Sequence, residues 1–215
     1  CVFTSTRAEY GLLYNLIKLF EEDDDITQHI LVTGTHLSKK FGYTANIIKK
    51  DNWKNVHLLK SLGNEDNYVS LSNSVGDCIK KLSKCLSELR PDCMVLLGDR
   101  FELFAPLTVC TIMNIPIAHI SGGELTEGAI DNQVRHAITK SSHLHFVSNE
   151  TFAKRLIQMG EEKWRVQISG ELGLDNIKKL DLMHISEINN IIKLDINNDT
   201  AIVTYHPATL ELKGL

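Results

Sequence analysis

The chain has 215 residues, 43% hydrophobic and 23% charged, a globular balance that excludes fibrous and disordered classes and can bury one good core or two small ones. Its net charge of -4, with signs interspersed, supplies no basic field, so neither nucleic acid nor a membrane surface is expected as a partner and a small substrate fits better than a polyanion. Five cysteines without a C-x-x-C pair read as reduced thiols in a cytoplasmic protein.

In chain order, short β-rich runs alternate with longer helical patterns. Strands are predicted at Cys1–Thr4, Ile30–Thr33, Asn55–Leu58, Met94–Leu97, Pro116–Ile120, Leu144–Val147 and Arg165–Ile168. The first helix carries an apolar stripe of Leu12, Leu13, Leu16, Ile17 and Phe20 and closes at the acidic run Glu21–Asp25, a solvated turn. A longer helix places Leu71, Val75, Ile79, Leu82, Leu86 and Leu89 on one buried face and ends at Arg90-Pro91. The uncharged stretch Phe104–Ile120 contains Pro106 and Pro116 and falls short of the ~20 residues of a membrane span, so it reads as a helix followed by a buried strand.

This alternation predicts an α/β fold, a doubly wound parallel sheet over residues 1–170, whose ligand sits at the carboxyl ends of the strands. Residues 171–200 read as a helical connection, and Ala201–Tyr205 as a strand opening a second Rossmann-like domain, truncated within 201–215. A chain starting at Cys1 without Met is likewise expected to lack its natural start.

Chemistry is therefore sought in the loops after the strands. After the first, Thr4-Ser5-Thr6-Arg7 leads into a helix: hydroxyls, a helix N-terminus and a planar cation suit a phosphate. A capping hydroxyl followed by a surface Arg is the competing reading. Neither G-x-G-x-x-G nor the P-loop pattern occurs, so no cofactor is expected. After the fourth strand comes Gly98-Asp99-Arg100-Phe101-Glu102, with Asp99 either at the mouth of the crevice or capping the next helix. After the fifth, His119-Ile120-Ser121-Gly122-Gly123-Glu124 offers a double glycine for close backbone approach to a ligand. Asp131, Arg135 and His136 follow on a helix start, where an ordinary surface ion pair between Asp131 and Arg135 is the alternative to a functional role.

Asp99, Glu124 and Asp131 thus share one end of the sheet, and carboxylates in different environments can divide into acid and base. His119 and His136 could tune them, although a His near a strand end is more often a structural hydrogen-bonder. His143-x-His145 lacks a third partner, so no metal is expected.

The ordered set TSTRAEYGLL (4–13), TGTHLSKKFGYT (33–44), LGDRFE (97–102), IAHISGGE (117–124), AIDNQVRHAITK (129–140) and TYHPATLE (204–211) resembles the hydrolysing UDP-N-acetylglucosamine 2-epimerases of the bacterial sialic and legionaminic acid pathway type. The resemblance implies the first lobe of a glycosyltransferase-B-like two-lobed fold, with the uridine held mainly by the other lobe, and a homo-oligomer. It implies catalytic roles for Asp99, Glu124 and Asp131, and substrate contacts from Arg7, His36, His206, Gly122, Gly123 and Arg135. Ser5 stands where a glycine is expected, and Ala208 where a bulkier residue is. The implied reaction converts UDP-N-acetylglucosamine, or a 2,4-diacetamido-trideoxy analogue, to UDP and the free manno sugar through a glycal. The 215 residues alone are expected to hold the acid/base site with little turnover. A non-hydrolysing 2-epimerase, a glycosyltransferase of the same fold and a non-catalytic nucleotide-sugar-binding module are the rival readings.

Overall fold

The computed structural model describes residues 1–63, 65, 67–179 and 181–205. Strands β1 (Val2–Thr4), β2 (Ile30–Val32), β3 (Val56–Leu58), β4 (Met94–Leu97), β5 (Ile117–Ile120), β6 (Leu144–Val147) and β7 (Val166–Ile168) form one sheet in the order β3-β2-β1-β4-β5-β6-β7, with every pairing parallel. Each strand lies where the sequence pattern predicts it, with ends differing by at most one residue. The α/β doubly wound class is as expected.

Eight helices are defined among the described residues: α1 (Arg7–Glu22), α2 (Ala45–Lys50), α3 (Tyr68–Leu89), α4 (Phe104–Met113), α5 (Asp131–Ser141), α6 (Glu150–Gln158), α7 (Leu172–Lys179) and α8 (Ile185–Ile192). Strand residues divide by parity between two cores. Phe3, Leu31, Met94, Leu96 and Ile117 pack with Leu82, Leu86, Val109, Val134 and Ile138 from α3, α4 and α5. Val2, Ile30, Val32, Val95, Leu97 and Ile120 pack with Leu13 and Ile17 of α1 and Ile48 of α2. Period-2 alternation with both faces covered is why these strands read as unbroken apolar runs.

The α1 stripe is buried as expected around Leu13 and Ile17. In α3 the face is rotated: Ser74, Cys78, Leu82 and Leu86 are its buried centre, whereas Leu71, Val75, Ile79 and Leu89 are half-buried flanks. A hydroxyl and a thiol at the centre hid that line from a purely apolar count. Arg90, left-handed at φ 45°, ends the helix by donating its N–H to the Leu86 carbonyl at 2.9 Å. Phe104–Ile120 is a helix and a buried strand, and no helix among the described residues is long and apolar enough to cross a membrane.

Beyond β7 the chain returns to α1: Asn176 on α7 donates to the Gly11 carbonyl at 2.7 Å. Ala201–Tyr205, read as a strand from its composition, pairs with no strand among the described residues and is exposed. Apolar β-branched residues alone do not make a strand without a neighbouring ladder.

Leu82 is 0% exposed in the larger core. Leu82→Ala is expected to lower unfolding free energy by about 2–5 kcal/mol. Leu19→Ala, at a position 57% exposed on α1, should change it by less than about 0.5 kcal/mol in the same urea titration.

Candidate active site

The strand order reverses between β1 and β4, and a ligand crevice opens where loops from those two strands diverge. Thr6 caps α1: its hydroxyl accepts the Glu9 N–H at 3.3 Å, and the Glu9 carboxylate accepts back from the Thr6 N–H at 3.0 Å. The Glu9 carboxylate also takes the Ser5 N–H at 2.7 Å and the Ser5 hydroxyl at 2.9 Å. These donors, read from sequence as an anion cradle, are thus occupied by the protein's own buried acid. Arg7, exposed at the first position of α1, remains the cation facing solvent. Glu9 was missed as a site residue, yet Thr6-x-x-Glu9 is a legible capping box. Burial raises its pKa against the lowering effect of the Ser5 bonds and Arg100.

Arg100 grips Glu102 with two bonds of 2.8 and 3.1 Å and lies 3.9 Å from Glu9, so a charged trio spans the crevice floor. Beside it a cleft of about 780 Å³ is lined by Thr6, Lys39, Lys60, Arg100, Phe101 and Glu102, among others. None of Asp99, Glu124 and Asp131 lines it, and Arg7 borders a separate groove along α1.

Those three carboxylates gather instead around Arg135. This guanidinium, 4% exposed, pairs with Asp99 and donates to the Glu124 carbonyl at 3.0 Å and the Thr126 hydroxyl at 3.3 Å. The surface-pair alternative therefore fails: Arg135 is interior, and its ion-pair partner is Asp99, 36 residues away. Both terminal nitrogens of Arg135 are directed at protein groups, so it fixes the loops that carry the acids. Burial raises the pKa of Glu124, with Glu171 and Asp99 adding and Arg135 opposing. Asp131 is also raised, by burial and then by Asp99, against Arg135 and Arg100.

His36 lies in a short 3₁₀ turn after β2, 0% exposed, with one ring nitrogen 3.1 Å from the Thr4 hydroxyl and the other 2.8 Å from that of Thr44. Burial pushes its pKa down to about 4. It ties β1 to the loop before α2, with both ring nitrogens set against the protein's own hydroxyls. Gly34 beside it must be glycine: a Cβ would sit 2.7 Å from the Ser5 carbonyl, at φ +57°.

The double glycine also serves the protein itself. A Cβ on Gly123 would meet the Phe152 carbonyl at 2.7 Å, at φ +81°, and one on Gly122 would meet His119 at 3.1 Å. The close approach expected toward a ligand is toward α6 and the β5 imidazole. Arg155 of α6, which no local spacing singles out, donates to the Gly123 carbonyl. His145 is 3.1 Å from Glu161, and the Glu161 carboxylate also takes the Lys140 ammonium at 2.6 Å, locking α5, β6 and the loop after α6 together. His143 accepts the Ile117 N–H at 3.2 Å. Among the described residues no group of three or more His, Cys, Asp or Glu could hold a metal. His206 lies outside the described residues.

The whole is a doubly wound, Rossmann-like α/β domain with a cluster of carboxylates around Arg135 at the carboxyl edge of its sheet. Residues 18–214 match the family model described as UDP-N-acetylglucosamine 2-epimerase, and the chain belongs to that family. It is 40% identical over 214 residues to the GDP/UDP-N,N'-diacetylbacillosamine 2-epimerase (hydrolyzing) of Campylobacter jejuni, covering 100% of this chain and 56% of that protein. It is 34% identical over 213 residues to the UDP-N,N'-diacetylbacillosamine 2-epimerase (hydrolyzing) of Legionella pneumophila, covering 99% and 56%. The chain thus spans about half the length of the curated relatives it matches. The same fold occurs in the UDP-GlcNAc 2-epimerase of Neisseria meningitidis solved with UDP-GlcNAc, at TM-score 0.71 and 20% identity over 89% of this chain and 50% of that one.

Asp99 raises both of its neighbours, which gives a signed expectation. Asp99→Asn removes that charge and leaves Arg135 uncompensated, so the pKa values of Glu124 and Asp131 should both fall in a carboxyl ¹³C titration. Carboxyls harder to ionise when folded than when unfolded favour the fold at low pH and lose that contribution as pH rises through the folded pKa. The variant should therefore show a smaller loss of stability across that window.

Proposed function

We propose that this chain carries the acid–base half of a hydrolysing 2-epimerase, which converts a UDP-linked 2-acetamido sugar to UDP and the free manno-configured sugar. The observation that carries this reading is the grouping of three carboxyls in different surroundings at one edge of the sheet. Asp99 is ion-paired, whereas Glu124 and Asp131 are desolvated and repelled by it. Such surroundings favour dividing the proton-accepting and proton-donating roles among neighbouring acids.

The reaction needs that division. The C2 proton has no adjacent carbonyl to acidify it, so a base removes it as the C1–O bond to UDP breaks, leaving a glycal. Water then adds its oxygen to C1, and a proton returns to C2 from the opposite face. The departing diphosphate carries negative charge, and in this reading the exposed guanidinium of Arg7 offsets it. In this reading residues 1–170 serve as the first lobe of a glycosyltransferase-B-like pair, 171–200 as the helical connection and 201–215 as the opening of the second lobe, and His206 is a substrate-binding residue. Gly122, Gly123 and Arg135 act by shaping the loops that carry the acids, and His36 by holding β1 to Thr44.

The two relatives named for a diacetylbacillosamine substrate favour a UDP-2,4-diacetamido-trideoxy sugar over UDP-N-acetylglucosamine, in a pathway of the sialic or legionaminic acid type. A cytoplasmic homo-oligomer is the setting, in keeping with five free cysteines.

Incubation of the full-length protein with the UDP-2,4-diacetamido-trideoxy sugar in heavy water is expected to release UDP and a manno sugar bearing deuterium at C2, faster than UDP-N-acetylglucosamine reacts. Glu124→Gln should lower kcat about 10²–10⁴-fold. An unchanged C2 proton overturns the mechanism, a UDP-linked manno product identifies a non-hydrolysing epimerase, and turnover only with an acceptor identifies a transferase.

A further inference from the structure

The peptide leading into Asp99 is held by β5 through both polar groups of Gly98. The Gly98 N–H donates to the Ile120 carbonyl at 3.0 Å, and the Gly98 carbonyl lies 2.8 Å from Nε2 of His119. A carbonyl only accepts, so Nε2 carries the proton. Nδ1 of the neutral ring then presents a lone pair, which takes the Thr139 hydroxyl at 3.3 Å. Thr139 stands one turn beyond Arg135 on α5, and both are buried. One face of that helix therefore reaches the Asp99 segment twice: Arg135 holds the carboxylate, and Thr139 holds the imidazole that holds the backbone.

Two features show why this contact matters to a segment that its own side chains do not lock. Gly98 has φ +83° and no side chain against which to lock, so rotation of the Gly98–Asp99 peptide is opposed mainly by its hydrogen bonds. Gly122 lies directly on the imidazole: a Cβ there would be 3.1 Å from Nδ1 and 3.2 Å from the Thr139 hydroxyl. The loop bearing Glu124 thus closes over the group that sets Asp99, and one ring registers both acid-bearing loops against each other.

We propose that His119 is a positioning residue for Asp99, fixing the peptide that aims its carboxylate and acting as a neutral Nε2–H tautomer. The ring is 0% exposed, so it exchanges no proton with a substrate, and burial pushes its pKa down to about 4. A neutral ring adds no second cation beside Arg135. The inference rests on the reading of Asp99 as a proton-transfer group.

Two substitutions separate positioning from bulk packing. His119→Gln can keep a donor near the place of Nε2, whereas His119→Asn keeps one nearer Nδ1 and abandons the Gly98 carbonyl. In the full-length protein, His119→Asn should lower kcat about 100-fold with KM within about twofold, as expected for a misaimed reacting group. His119→Gln should recover at least about tenfold of that loss. Equal losses in the two variants, or a change confined to KM, would overturn the proposal. ¹⁵N spectra of the histidine-labelled wild-type protein at neutral pH give a readout independent of turnover and of variant folding. A protonated Nε2 and bare Nδ1 support the clamp, whereas an Nδ1–H tautomer or an imidazolium refutes it. If the protein proves to have no epimerase activity but the ring shows the Nε2–H tautomer, the clamp stands as structure, and the reading of Asp99 has failed separately.

Discussion

A single buried guanidinium organises the carboxyl edge of the sheet. Arg135 pairs with Asp99 on one side and with the Glu124 carbonyl and Thr126 on the other, so the loops after β4 and β5 are set by one side chain on α5. A buried cation of this kind is stable only while its partners stay in place, and removing one partner of such a pair typically costs about 3–5 kcal/mol. The geometry of the acids and the integrity of the fold are therefore linked. Its Nε has no hydrogen-bond partner among the described residues, so the planar fork is committed through its two terminal nitrogens.

On the other side of the switch point the same problem is solved with an anion. Glu9 is buried and accepts the Ser5 and Thr6 N–H groups together with the Ser5 hydroxyl. It thereby neutralises the positive end of α1 from within. Arg100, held by Glu102, approaches Glu9 at 3.9 Å and joins the first loop to the β4 loop. The crevice floor is thus a row of alternating charges, Glu9, Arg100 and Glu102, next to the Asp99–Arg135 pair. Alternation is what allows so many ionisable groups to be crowded into partly desolvated space.

The sheet and the clustering of Asp99, Glu124 and Asp131 were legible in the sequence for one reason. Parallel strands covered on both faces read as short unbroken apolar runs, and the loops at their carboxyl ends then share a single edge. The partners of the loop residues were not legible, because they are long-range. The spacing of Asp131 and Arg135 suggests a pair along the helix, but tertiary packing turns the guanidinium inward to Asp99, across 36 residues. The Gly-Gly pair signals close approach without naming what approaches, and the answer is α6 on one side and His119 on the other. His36 was singled out for its motif, yet nothing local announces that Thr4 and Thr44 will occupy both ring nitrogens.

The contrast among the three acids follows from where charge is compensated. Asp99 lies against a guanidinium that water scarcely reaches. Glu124 meets Arg135 mainly through its backbone carbonyl, so its carboxyl gains only part of that compensation while losing solvent and facing Asp99 and Glu171. Asp131 starts α5, where the helix dipole favours an anion, yet burial and Asp99 still raise its pKa. Because the terminal nitrogens of Arg135 are spent on the protein, the contrast among the three acids is built into the fold itself.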